Sequence, residues 1–143
     1  AAIDGLCIGG GLSLALMCDM LIATDRSRFA IPEAKVGIVD GHLPRFLRDI
    51  VPHATLRYWM YSGVIFPAAE AQAAGLLTKL VAPEELPAAL DKMIAGVKTG
   101  SPVALQMLKH IFNEKRRLSA MTDAYLMMLQ PEVLKRLQAF RDK

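Results

Sequence analysis

Three glycines in a row, Gly9-Gly10-Gly11, stand between an apolar segment ending at Ile8 and a run of helix formers beginning at Leu12. A backbone without Cβ lets a ligand approach closely and can adopt positive φ. The first amides of the helix that follows have no acceptor within it and point at whatever lies ahead. Such a place suits developing negative charge, on an enolate or a tetrahedral intermediate, or a phosphate. The spacing is not G-x-x-x-x-G-K-[ST], and Ser13-Leu14 stands where G-x-G-x-x-G needs its last glycine. A tight strand-to-helix joint with no ligand explains the same residues. Glu33 follows the apolar Phe29-Ala30-Ile31-Pro32. A carboxylate partly withdrawn from water there has its pKa raised toward a useful acid–base range; the plainer alternative is a surface glutamate at a helix start. Asp40 and His42 flank Gly41 in a turn and read equally as turn residues.

The elements that must hold these residues are short. Residues 1–8 read as strand, Leu12–Met20 as helix, and Leu21–Ala23 and Ser27–Ile31 as two strands joined by Thr24-Asp25-Arg26. Val36–Val39 reads as another strand, running into the turn at Asp40-Gly41. From Leu43 the pattern is helical. Leu43, Phe46, Leu47, Ile50 and Val51 share one face until Pro52; Thr55–Ser62 forms a helix stopped by Gly63, and Pro67–Ala74 another closed by Gly75. Leu76–Val81 reads as a strand. Pro83-Glu84-Glu85 opens a helix to about Lys98, Ser101 caps the next with Pro102 at its first position, and Gln130-Pro131-Glu132 starts the last. The division expected is 1–82 as a strand-bearing core and 83–143 as a helical region.

The chain has 143 residues, of which 53% are apolar and 22% charged, a globular composition able to bury a sizeable core. No apolar run approaches the ~18 residues of a membrane span. The net charge of +3 is uneven: residues 1–42 carry three basic and five acidic side chains, so the remainder holds a net +5. That basic part suits either an anionic ligand or a solvated helical surface. Aromatic content of 6% and the lack of zinc spacing argue against nucleic acid. Cys7 and Cys18 lie in apolar stretches without metal-ligand spacing; buried thiols in a reducing, cytoplasmic compartment and no metal site are expected. The first residue is Ala1, in what reads as the end of a buried strand, so a piece of a longer domain with upstream residues missing is expected. No signal peptide is visible.

Taken together, these segments resemble the enoyl-CoA hydratase/isomerase family, the crotonases. The matching residues are Ala2-Ile3-Asp4-Gly5 with Gly9-Gly10-Gly11, Cys18-Asp19, Ala23, Phe29-Ala30-Ile31-Pro32-Glu33, Val36-Gly37-Ile38 and Gly41. Ser62-Gly63, Ala68–Ala71, Ala73-Ala74-Gly75-Leu76-Leu77, Ser101-Pro102 and Lys109 continue the match along the whole chain.

The resemblance implies an α/β crotonase fold, ββα units wound in a spiral, with a C-terminal helical region used for trimer contacts and the N-terminal part missing. It implies an acyl-CoA thioester as substrate, no metal or redox cofactor, and a homotrimer or hexamer. It places the second of two oxyanion donors at Gly10, the first lying upstream of Ala1, and the catalytic glutamate at Glu33, on the wall of a pocket that the Gly10 amide faces. The family's other glutamate falls on Ser13, which cannot be a carboxylate base at neutral pH, so ordinary two-glutamate water addition does not carry across. Single-carboxylate patterns fit instead: enoyl-CoA isomerases, and hydroxycinnamoyl-CoA hydratase-lyases, to which Gly41-His42-Leu43, Tyr58–Gly63 and Lys109-His110 are also similar. Asp40 and Gly41 are secondary candidates, because some dienoyl-CoA isomerases and dehalogenases carry an aspartate one position beyond Asp40. Lys143 matches a lysine offered to the CoA phosphates of a neighbouring subunit, and Met107, Met121, Met127 and Met128 suit a core or trimer contact. The alternative from another class is a catalytically silent, structural crotonase-like subunit.

Overall fold

At Asp4-Gly5 the chain leaves one sheet and enters another. The computed structural model, which describes residues 1–113 together with 135 and 138, puts β1 (Ala2–Ile3) and β2 (Leu6–Ile8) in different sheets. The same step recurs between β3 (Ile22–Thr24) and β4 (Arg28–Ala30). Each strand pair therefore gives one strand to each sheet. β1 and β3 run parallel with Ile3 opposite Ala23, and β2 and β4 run parallel with Cys7 opposite Phe29. β6 (Lys79–Val81) completes the first sheet in parallel, and β5 (Ile65–Pro67) completes the second in antiparallel sense, Phe66 opposite Phe29.

The two crossings are tied together. Ser27 Oγ donates to Ile3 O at 3.1 Å and accepts from Gly5 N at 3.2 Å. Thr24 Oγ1 donates to Asp4 Oδ1 at 2.8 Å, and Arg26 Nε donates to the same oxygen at 2.6 Å. Thr24 and Ser27, fully buried, thus have their polar atoms paired, as burial requires. The Arg26 guanidinium, helped by Thr24, holds the Asp4 carboxyl down to about 2.

The helices are α1 (Gly10–Leu16), α2 (His42–Leu47), α3 (His53–Ser62), α4 (Ala68–Ala73), α5 (Leu86–Lys98) and α6 (Pro102–Asn113), of which α1, α4 and α5 pack directly on strands. The main core joins Leu12, Leu16, Phe29, Leu43, Leu47 and Trp59, among others. Trp59 stacks on Phe66 at 3.8 Å between ring centres and 8° between planes, and its Nε1 donates to Glu70 Oε1 at 2.6 Å. A smaller cluster packs Ala89 of α5 on Ile22 and Val81. α4 ends as expected: Gly75 takes φ 85° past the C-cap Ala74, and Leu76 N donates to Ala71 O at 2.9 Å, a Schellman-type closure.

Several expectations need correction. α1 begins inside the glycine run and stops at Leu16, because Met17 N and Cys18 N bond three residues back, to Leu14 O and Ala15 O, and turn the chain toward β3. That turn leaves Cys18 exposed, while Cys7 on β2 is buried. Val36–Val39 is not a strand: Glu33–Val36 forms a 3-10 turn, with Lys35 N on Pro32 O at 2.9 Å and Ile38 N on Glu33 O at 3.1 Å. α2 ends at Leu47, so Leu43, Leu47 and Val51 are buried but Ile50 turns outward. Strand β5 was not expected. It is three residues long, and its Pro67 is tolerated because β5 lies at the sheet edge. Ser101 does cap α6, accepting from Ala104 N at 3.5 Å. The helix expected at Gln130-Pro131-Glu132, the residues Met121, Met127 and Met128, and Lys143 lie outside the described residues. No helix among the described residues is long and apolar enough to cross a membrane.

Candidate active site

β2 and α1 meet at Gly9, with φ 54° and ψ −121°, a conformation closed to side chains. Its N–H donates to Ala30 O at 3.0 Å, extending the β2–β4 pairing by one residue. Its carbonyl accepts from Ser13 N at 3.0 Å and starts the helix. Gly10 is the first helical residue, so its amide has no acceptor within α1. Beyond the adjoining residues and the helix's own backbone, no atom of the described residues lies within 4 Å of where a Cβ of Gly10 or Gly11 would stand.

β4 ends at Ala30, and Ile31-Pro32 carries the chain into the 3-10 turn at Glu33. That turn aims the Glu33 carboxylate back at the glycine run: a Cβ on Gly9 would sit 2.6 Å from Oε1. Oε2 is buried and has no hydrogen-bond partner among the described residues. Burial raises the Glu33 pKa above the ordinary carboxylate value; its own backbone N–H opposes the rise, and the negative charge of Asp40 adds to it. A proton-transfer group at neutral pH needs such a shift.

Glu33 and Asp40 both line a cavity of about 450 Å³. Its apolar wall includes Ile31, Ile38, Leu56 and Met60. Gly10 is not part of that lining. Glu33 links the glycine run to the cavity: its carboxylate fills the space beside Gly9, and the residue lines the cavity.

Ser13 and Asp40 come together. The Ser13 hydroxyl donates to Asp40 Oδ2. Oδ1 of Asp40 accepts from His42 N at 2.7 Å and Leu43 N at 3.4 Å, at the start of α2 beyond its N-cap Gly41. Gly41 contributes a backbone position there and no side chain. The His42 ring stacks on Phe46 at 5.9 Å and brings Nδ1 within 3.4 Å of Asp40 Oδ1. Sequence reasoning missed Gly9 as the residue that makes room for Glu33. It also missed His53, Arg57 and Tyr61, which line the cavity from α3. Their four-residue spacing, one helical stripe, was the available signal.

The arrangement of paired-off strands and covering helices is shared with solved crotonase-fold proteins. The crystal structure of an enoyl-CoA hydratase/isomerase from Pseudoalteromonas atlantica T6c matches with a TM-score of 0.87 and 28% identity, over 99% of this chain and 60% of that one. The family model for enoyl-CoA hydratase/isomerase matches residues 1–137. A carnitinyl-CoA dehydratase from Salmonella arizonae is 36% identical over 121 residues, covering 83% of this chain and 46% of that protein. A crotonyl-CoA hydratase from Syntrophomonas wolfei is 32% identical over 136 residues, covering 87% and 51%. The chain spans about half the length of these curated relatives. It belongs to the enoyl-CoA hydratase/isomerase family.

Proposed function

We propose that the protein adds water to, or removes it from, an acyl-CoA thioester, with Glu33 as its acid–base group. The observation carrying this reading is the Glu33 carboxylate, with Oε2 buried and without a hydrogen-bond partner among the described residues, and the cavity beside it. In the hydration direction a water oxygen bonds to Cβ of the enoyl group. Its proton goes to the Glu33 carboxylate, and the same carboxyl delivers a proton to Cα, so Glu33 ends as it began. The electron pair displaced from the double bond rests on the thioester oxygen as an enolate until Cα is protonated. The Gly10 N–H is the donor assigned to that oxygen, with a second donor supplied from outside these residues. Such stabilisation by fixed backbone dipoles needs no metal or redox group. Relatives named for hydration and dehydration favour this reaction over double-bond isomerisation or hydratase-lyase chemistry.

Homotrimeric assembly through the helical region is part of the proposal. α6 exposes Val103, Met107 and Ile111 along one apolar face suited to contact between subunits. Sedimentation of the full-length protein should show a trimer or a dimer of trimers. The reaction itself is tested by incubating full-length protein with crotonyl-, long-chain, aromatic and crotonobetainyl-CoA and following the enoyl absorbance. Loss of that absorbance with appearance of a 3-hydroxyacyl product is expected. An inert trimer would instead establish a structural subunit.

A further inference from the structure

We infer that Asp40 is a positioning residue that acts through Ser13, fixing the Ser13 hydroxyl as a hydrogen-bond acceptor for the reacting water. The inference rests on the hydration reading above. Its basis is the way the two oxygens of Asp40 are divided. Oδ1 is taken by the first turn of α2, through His42 N and Leu43 N. That hold leaves Oδ2 in a set direction, and Oδ2 accepts the Ser13 hydroxyl. A serine hydroxyl has one proton and two lone pairs, and it rotates to suit its partners. Once its proton is committed to a carboxylate, Oγ can only accept. The group it then suits is an O–H donor, and a water presenting one proton to Oγ has its other proton free for Glu33.

The placement supports this chain of contacts. Ser13 lies on α1 three residues after Gly10, so the hydroxyl and the proposed oxyanion donor share the first turn of one helix. Asp40 lies on the cavity wall with Glu33, its side chain only 18% exposed. A helix start needs one acceptor, and Asn or Ser would serve as well as Asp. The second oxygen of Asp40 is surplus to capping, and it is the one that accepts the Ser13 hydroxyl.

The test is a double-mutant cycle on the full-length protein, with kcat and KM for crotonyl-CoA hydration as the readout. Asp40→Asn keeps an acceptor for the α2 amides but is a poorer partner for the Ser13 hydroxyl; Ser13→Ala removes the hydroxyl. Each single change is expected to lower kcat roughly 10- to 100-fold with KM within about twofold, the effect of losing orientation rather than binding. The double variant is expected to be no slower than Ser13→Ala, because Asp40 has nothing left to orient. Thermal midpoints of Asp40→Asn should stay near wild type; if that variant fails to fold, Asp40→Ser takes its place as an uncharged cap. Losses that multiply in the double variant, or an Asp40→Asn kcat equal to wild type, overturn the role of Asp40 while leaving the hydration reading standing. A wild-type protein with no turnover on any enoyl-CoA overturns the hydration reading and this role with it.

Discussion

The Glu33 carboxylate occupies the space that a side chain on Gly9 would need. A Cβ there would lie 2.6 Å from Oε1 of Glu33, too close for the carboxylate to stay where it is, and at ordinary contact distance, 3.4 Å, from its Cδ. Gly9→Ala is therefore expected to act twice. The positive φ costs on the order of 1–3 kcal/mol of stability, and the methyl displaces the carboxylate. Urea unfolding should show the first effect. A kcat lowered at least ~10-fold beyond what folded fraction explains should show the second. Wild-type turnover in Gly9→Ala would mean that the position of Glu33 is not critical.

Glu33→Gln keeps size and polarity but takes up no proton at neutral pH. General acid–base assistance is typically worth ~10²–10⁴ in rate, and turnover should fall by that much. The Kd of the CoA ester, read by calorimetry, should stay within a few-fold. Equal kcat values in wild type and variant would remove Glu33 from the chemistry.

The same substitution reports on stability. Burial raises the Glu33 pKa in the folded state above its unfolded value of about 4.3. The unfolded chain then releases its proton first as pH rises. Glu33 accordingly leaves the fold intact below that unfolded value and destabilises it as pH climbs through the folded pKa. Glu33→Gln should be the more stable protein at pH 7 and gain nothing at pH 3.5, in paired thermal melts. A variant less stable than wild type at pH 7 would contradict the cause assigned to the shift.

Ser13→Glu restores a second carboxylate but sets it against Asp40, the acceptor of the Ser13 hydroxyl. Like charges at such range each disfavour ionisation of the other. We expect Ser13→Glu alone to hydrate crotonyl-CoA no faster than wild type, and Ser13→Glu with Asp40→Asn to exceed the single variant. Steady-state rates on the full-length protein decide this. A fast Ser13→Glu single variant would show that the new carboxylate avoids Asp40.

Trp59 is fully buried, stacked on Phe66, and bonded to the exposed Glu70. Trp59→Ala should cost roughly 3–5 kcal/mol through the cavity left behind. Trp59→Phe should cost less, because Glu70 regains water when the indole N–H is lost. Chemical denaturation gives both values.

Local chemistry made much of this protein legible without coordinates. A glycine run after an apolar strand announces a strand-to-helix joint, because the φ 54°, ψ −121° pair that Gly9 adopts is closed to residues with a Cβ. Gly75 past a helix, Ser101-Pro102 before one, and the four-residue spacing of Leu43, Leu47 and Val51 are signals within a turn or two of what they specify. What tertiary structure decided lies at longer range. Gly9 and Glu33 are 24 residues apart, Ser13 and Asp40 are 27 apart, and no local preference brings either pair together. Val36–Val39 has the composition of a strand, yet among the described residues it finds no ladder, and the bonds of the 3-10 turn at Glu33 take its place. Ile65–Pro67 has too few residues to show a period, and it became a strand only because β4 had an open edge. Cys18 lies in an apolar stretch but is exposed, because its helix ends early to reach β3. Residue type and spacing set which groups were capable of chemistry. Sheet pairing and helix packing, which sum weak contacts between distant segments, set which of those groups meet.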